Sequence, residues 1–380
     1  MAKRRTAGEG TINQLPSGSW RAQVSLRGRR LSYTGKSQQA ARDWIRKIQA
    51  QIEQGLTYDD SHATVGIFME GWLATKKLQL RISSAEQYTR ICRVFIEPNL
   101  GSQRLKNLSP GKVQEFYDRL GNLGTGIRTI RLVHVLLHMC LEHAKNLGLI
   151  GNNPAQHCKV AKGQKVEMKI WDEDQVNKFL DFIRGHKNEN LYHLALATGM
   201  RRGELLGLQW KDVDWVKQRI MVRRQCFNPE GGGYIFQPPK TDLGLRSVRL
   251  GLGTIECLRR QLKNIDLMRQ FSREKWEEHD LVFPAINGKP LFGNNITQEF
   301  QQLLKQAGLP KIRFHDCRHT AASIMLGYGI SPTIVAGMLG HSIATLLNTY
   351  THFIPDMQDE AARIMDEVTS SIAVDLNHRG

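Results

Sequence analysis

The stretch Leu339-Gly340-His341-Ser342, running on to Asn348-Thr349-Tyr350, sets a histidine just past a helix stop and a tyrosine nine residues later. Gly340 is of the type that ends a helix, Ser331 and Pro332 open the helix before it, and Ser342 can cap the helix that leads to Tyr350. Upstream, His315-Asp316-Cys317-Arg318 opens a helix carrying Ala321, Ala322, Ile324 and Met325. Positions i and i+3 share one helix face, so imidazole and guanidinium can grip one anion. Further upstream an apolar helix (Leu191, Leu194, Ala195) ends at Gly199, and Arg201-Arg202-Gly203-Glu204 begins another. Arg201 therefore stands at a helix N-terminus, a natural anion site, with Glu204 three residues on to orient it. Two arginines, two histidines and a tyrosine in this order make a phosphate-binding set with its own nucleophile.

Breaking and rejoining a phosphodiester needs a nucleophile, cations for the five-coordinate phosphorus and an acid for the leaving oxygen. Tyrosine suits the first task because a phosphotyrosyl ester keeps the energy of the broken bond. Its reference pKa of about 10 demands help in ionising. Arginine suits the second because its planar fork binds two phosphate oxygens and stays charged. Lys240 lies in Pro238-Pro239-Lys240-Thr241-Asp242-Leu243-Gly244, between Tyr234-Ile235-Phe236 and Arg246 to Leu250. The flanks read as strands, which puts Lys240 in a hairpin turn. Tyr88 and Tyr328, at apolar helical spacing, read as core.

These boxes resemble the active site of the tyrosine recombinases, the phage-integrase family. The match is strong over the last 200 or so residues and looser before them. The resemblance implies Tyr350 as nucleophile, Arg201, His315, Arg318 and His341 as phosphate ligands, Lys240 as acid on the 5′ oxygen and Glu204 as support. Every expected position is filled. It implies no cofactor and no metal, because side chains supply the cations. His134 and His138, spaced as zinc ligands can be, find no convincing third and fourth ligand beyond Glu142 or His143, and read as part of a packed or DNA-facing helix.

Composition points the same way. The 380 residues carry 53 Lys and Arg against 36 Asp and Glu, a net +17, which favours a polyanionic partner. No apolar run of about 18 residues marks a membrane span. The basic start Met1-Ala2-Lys3-Arg4-Arg5 is followed by no apolar stretch, arguing against a secretion signal. The six cysteines are scattered without a C-x-x-C pair and read as reduced, mostly buried thiols. Thr34-Gly35-Lys36-Ser37 imitates the end of a P-loop, but Arg30 occupies the place of the required glycine.

The expected fold is multidomain α+β. Residues 1–60 hold eleven Lys and Arg against two acidic residues through position 50. Trp20 to Leu26 alternates as a half-exposed strand, Leu31 to Thr34 returns as its hairpin partner, and Ser37 caps a helix reaching Gln51. A small three-stranded sheet with one helix resembles the arm-type DNA-binding domain of many integrases, with Lys3, Arg4, Arg5, Arg21, Arg27, Arg29 and Arg30 toward DNA. Residues 61–158 read as four short helices similar to the family's SAM-like core-binding domain, with Arg128 and Arg131 on the helix that meets DNA. Residues 159–169 form a basic linker including Lys162 and Lys165, and 170–380 a mainly helical catalytic domain with a small antiparallel sheet.

The implied partners are double-stranded DNA at core and arm sites and three further copies of the chain in a homotetramer. An excisionase, a host DNA-bending protein and a nucleoid-associated cytoplasmic location complete the expectation. Past Pro355 the tail turns acidic, and Ala361, Ala362, Ile364, Met365 and Val368 give it an apolar helical face. The resemblance implies docking on a neighbouring subunit; packing on its own domain is the alternative. Three other readings fit less well: a chromosome-dimer resolvase resembles only the last two segments, the His315 and His341 boxes and the arm domain fit a recombinase better than a type IB topoisomerase, and an inactive regulator would be supported by a missing Tyr350 or Arg201, both of which are present.

Overall fold

The computed structural model describes residues 10–26, 29–53, 63–161, 163, 168–350 and 362–369. The chain divides into two compact units, Met1–Gln164 and Lys165–Gly380.

The first unit opens with β1 (Thr11–Gln14), β2 (Trp20–Leu26) and β3 (Arg29–Gly35), an antiparallel sheet in that order. The period-2 alternation of β2 turns Ala22 and Val24 inward against Ala41 and Ile45 of α1 (Gln38–Glu53). Ser37 caps that helix, its Oγ accepting from the Ala40 amide at 3.2 Å. A separate helical core follows. α2 (Val65–Lys77) is capped by Thr64. α3 (Ile82–Ile91) runs through a π-helical turn at Cys92–Ile96 into α4 (Glu97–Leu100), and α5 (Pro110–Asn122) and α6 (Ile127–Asn146) complete the group. Phe68, Phe116, Leu136 and Leu137 are fully buried at its centre. His134 is engaged by the Tyr117 hydroxyl, 3.1 Å from its Nδ1. Among the described residues no three His, Cys, Asp or Glu side chains gather as metal ligands do. Nor is any described helix long and apolar enough to cross a membrane.

In the second unit Asp172 and Gln175 form a reciprocal cap on α7 (Glu173–Phe182). α8 (Glu189–Thr198) and α9 (Arg202–Leu206) follow. Next come β4 (Val213–Asp214), β5 (Arg219–Val222), β6 (Gln225–Phe227), β7 (Ile235–Gln237) and β8 (Arg246–Arg249). The helices α10 (Leu252–Ser272), α11 (Gly293–Gln306), α12 (Asp316–Gly327), α13 (Pro332–Leu339) and α14 (Ile343–Tyr350) finish the fold. Trp171, Phe179, Tyr192, Phe300 and Phe314 interlock in the main core, with ring centroids 5.2–6.1 Å apart. The Trp171 amide donates to Thr320 Oγ1 at 3.1 Å, tying the start of the unit to α12. A second, smaller core gathers Ala322, Leu326, Val335, Ala336, Leu339, Leu346 and Tyr350, with Met168 and Met325 packed against it.

Three expectations need correction. Lys240 does not sit in a hairpin between paired strands, because β7 pairs with β6 while β8 pairs with β5 in a different sheet. The physical reason is Pro238-Pro239, which cannot donate to a ladder and so ends β7. Tyr328 is not core: it is 68% exposed and its hydroxyl donates to Glu173 at 2.8 Å. Ser331 occupies the N-cap position of α13 but makes no side-chain capping bond. In the tail, residues 362–369 are helical, with Ile364 and Met365 about half exposed.

Candidate active site

Two helix ends create the site. α8 stops at Gly199 with φ +62°, where a Cβ would stand 2.5 Å from Leu339 Cδ2. α13 stops at Gly340 with φ +67°, where a Cβ would meet the Leu243 carbonyl oxygen at 2.6 Å. Both positions demand left-handed backbone and close approach, so both need glycine. The two stops swing Arg201 and His341 out of their helices toward the start of α12.

Arg201 enters α9 as its N-cap, and Glu204 reaches back as the sequence predicts: it accepts from the Arg201 amide at 2.9 Å and from Nη1 at 2.8 Å. Its other partner was not foreseen. Arg246, on β8, donates to both Glu204 oxygens at 3.1 and 2.8 Å and sends Nε to the Met338 carbonyl at 2.6 Å. Burial pushes the Glu204 carboxyl up, but Arg246 and then Arg201 outweigh it and hold it below its ordinary value. Glu204 is 2% exposed, and its buried charge is compensated chiefly by Arg246, which bonds both of its oxygens.

Arg318, 1% exposed, donates from Nη1 to the Gly199 carbonyl at 2.8 Å and from Nη2 to the Leu339 carbonyl. It thereby staples the two helix stops. Its buried Nε has no partner among the described residues. Burial, then Arg201 and Arg246, lower its guanidinium to about 9, which leaves it charged at neutral pH. His341, whose buried Nδ1 also lacks a partner there, is drawn down to about 4 by burial and then by Arg318 and Arg201. His315 reaches about 4 through crowding by protein, then His319, Arg318 and Arg201. Its surface nevertheless stays open to solvent, so the neighbouring His319, Arg318 and Arg201 contribute to that depression alongside burial. Both rings are neutral at pH 7 and can donate an N–H to a phosphate.

Tyr350 is 0% exposed, held in the smaller core at the end of α14. Its hydroxyl lies 2.5 Å from His319 Nδ1, and the His319 ring meets that of His315 edge-on at 5.1 Å. Burial pushes the Tyr350 hydroxyl up to about 12, against the opposing pull of Arg318. Ser342 caps α14 through the Thr345 amide at 3.2 Å, as its sequence position predicts.

Arg201, Glu204, His315, Arg318, His341 and Tyr350 therefore come together within one chain. Lys240 is exposed in the β7–β8 connection, two residues ahead of the turn Asp242–Gly244 whose Leu243 carbonyl packs on Gly340. The sequence reading assigned no role to Arg246 or His319. Nothing local marks Arg246, whose carboxylate partner lies 42 positions away. His319 carried a signal, since His315 and His319 sit at i, i+4 on one face of α12. Of the residues expected to face DNA, Arg21 is exposed on β2 and Arg128 and Arg131 are exposed on the first turns of α6. Arg29 and Arg30 lie on β3, their side chains outside the described residues, as are Lys3, Arg4, Arg5, Arg27, Lys162 and Lys165 altogether.

The depressed imidazoles have a consequence for stability. His341 holds about 4 folded against an ordinary 6.5, so the unfolded chain binds more protons between those values. Its stabilising share is present above pH 6.5 and is lost as the pH falls toward 4. Thermal unfolding followed over this window should show Tm falling, and His341→Gln should flatten part of the fall. An unchanged slope in the variant would mean that His341 is not held neutral.

The Phage integrase family model matches residues 169–356, and the model of the phage integrase N-terminal SAM-like domain matches residues 64–121. A "Tyrosine recombinase XerC-like" protein of Caldanaerobacter subterraneus subsp. tengcongensis is 26% identical over 359 residues, covering 89% of this chain and 92% of the relative. Among solved structures, the Tn1549 transposon integrase in complex with a circular intermediate DNA superposes with a TM-score of 0.68 at 23% identity, covering 80% of this chain and 99% of that one. A lambda integrase tetramer bound to a Holliday junction superposes at 0.55 and 16% identity, covering 90% and 96%.

Proposed function

The chain belongs to the phage integrase family and is a tyrosine recombinase, and from that premise we propose that it integrates, and also excises, a phage or mobile element. Tyr350 attacks the scissile phosphate and forms a 3′-phosphotyrosyl bond. Arg201, Arg318, His315 and His341 hold the nonbridging oxygens, and Lys240 protonates the departing 5′ oxygen. Four copies bind two DNA sites, exchange one pair of strands, pass through a Holliday junction and exchange the second pair. The observation that carries this reading is the arrival of the Tyr350 hydroxyl at α12, 2.5 Å from the residue that follows Arg318. Both phosphate-binding arginines and the nucleophile are thus supplied by one chain, which favours cleavage in cis.

The tetramer reading is supported by the lambda integrase tetramer on a Holliday junction and by the exposed apolar residues of the tail helix. In this reading the acidic tail docks on the next subunit, residues 1–60 grip a distant arm site, and residues 61–158 grip the core with Arg128 and Arg131. Residues 159–169 are the linker and 170–380 the catalytic domain. An excisionase and a host bending protein set direction, and the enzyme works on the host nucleoid in the cytoplasm.

Two truncations test this division of labour. Incubation with a nicked duplex carrying the attachment core, taken from DNA adjoining the gene, should yield a detergent-resistant adduct with or without EDTA. Deleting residues 1–60 should spare that adduct and abolish recombination of full attachment sites. Truncation after residue 355 should spare DNA binding and disturb tetramer assembly on the junction. Full recombination by the first truncation would remove the arm-binding role, and unchanged assembly by the second would make the tail intramolecular packing.

A further inference from the structure

We propose that His319 is a catalytic residue that takes the proton of Tyr350 as its oxygen attacks the phosphate, an inference that rests on the recombinase reading above. The contact is direct: His319 Nδ1 lies 2.5 Å from the hydroxyl oxygen, so the imidazole touches the reacting atom itself. Among the described residues that hydroxyl has no other hydrogen-bond partner. The two rings are 5.6 Å apart and tilted by 48°, so they meet through this bond and not by stacking.

The chemistry of the two groups fits the transfer. Burial holds His319 below its ordinary value, opposed by Asp316 and aided by Arg313 and Arg318. The ring is therefore neutral, and in the tautomer that carries its proton on Nε2 it offers a lone pair at Nδ1. Burial makes Tyr350 a reluctant acid, so free ionisation before attack is unfavourable. As the oxygen–phosphorus bond forms, the phenol oxygen loses electron density and its proton becomes acidic. The arriving phosphate charge raises the affinity of His319 for that proton. The step balances: the Tyr350 O–H bond breaks to His319, the oxygen bonds phosphorus, and the bond to the 5′ oxygen breaks and is protonated by Lys240. Rejoining runs the same transfers backwards, returning the proton from His319 to Tyr350.

The groups facing this pair are His315, Asp316, Arg313 and Arg318 on or beside α12, and His341 beyond α13. Of these, His315 and His341 could themselves shape a pH profile. The test therefore uses the nucleophile's acidity. In His319→Asn the amide lies about where Nδ1 was and can accept the hydroxyl, but it cannot take a proton. Single-turnover adduct formation on the nicked duplex should slow about a hundredfold, the scale of general-base assistance, with DNA binding unchanged. Placing a fluorinated tyrosine of lower phenol pKa at position 350 should restore at least about tenfold of that loss. A duplex whose 5′ bridging oxygen is replaced by sulfur needs no acid, so it should rescue Lys240→Ala and leave His319→Asn slow.

An unchanged or faster adduct rate in His319→Asn would overturn the proposal and make the histidine a mere cover over the resting tyrosine. Rescue by the sulfur substrate would place His319 at the leaving oxygen. A loss untouched by the fluorinated tyrosine would leave it only a packing role. Absence of adduct in the unaltered protein is a different result, which sinks the recombinase reading itself.

Discussion

Tyr350→Phe is expected to bind DNA with unchanged affinity and to form no covalent complex. The substitution removes one oxygen, and that oxygen is the one that would bond phosphorus. The remaining ring still fills the small core with Leu326, Val335, Leu339 and Leu346, so the fold around the site should persist. Removing the hydroxyl strips His319 Nδ1 of its partner, which costs about 1 kcal/mol, a modest drop in Tm. Binding read by mobility shift and adduct read on a denaturing gel separate the two consequences. A detergent-resistant adduct in Tyr350→Phe would transfer the nucleophile's role to another residue. Loss of DNA binding would instead mean that the ring shapes the DNA-facing surface.

Arg201→Ala and Arg318→Ala should both slow cleavage by a factor on the order of 10² to 10³ or more, because in the proposed mechanism each supplies a charge-assisted donor to a developing phosphorane. Their effects on stability should differ. The Arg201 side chain is one-third exposed, and Glu204 keeps Arg246 when it is lost, so the folded state should be little disturbed. Arg318 is buried and closes the carbonyls of Gly199 and Leu339. Its removal leaves two buried acceptors unpaired, each costing about 1–3 kcal/mol, and should lower Tm by many degrees. Arg318→Lys should recover part of the charge and not the two-carbonyl staple, so it should remain slow and destabilised. Cleavage near the original rate in Arg201→Ala would remove it from the phosphate site, and an unchanged Tm in Arg318→Ala would contradict the staple.

Much of this was legible in the chain because it depends on neighbours in sequence. Asp172 with Gln175, Ser37, Ser342 and the stops at Gly199 and Gly340 act within one helical turn, so residue type alone announces them. Arg201 with Glu204 is a three-residue relation and was found for the same reason. The alternation of Ala22 and Val24 in β2 announced a buried sheet face. The tyrosine, the arginines and the histidines of the candidate site were likewise visible as types at characteristic spacings.

What the tertiary structure decided are relations between segments with no local signature. The β7 and β8 strands look like a hairpin in sequence, yet which strands pair depends on which edges the helices leave open, and each went to a different partner. Tyr328 has helical spacing like a core residue, but it falls just past the last residue of α12, where its side chain is 68% exposed. Arg246 became the second clamp on Glu204 only because the fold brings β8 within a side chain's reach of α9, and no short-range pattern encodes that approach. The same holds for His319 and Tyr350, 31 residues apart. A hydrogen bond requires two atoms within about 3 Å, and only the packed helices bring these two there. Sequence thus determined which chemical groups the chain could bring to a phosphate, while packing decided which of them touch.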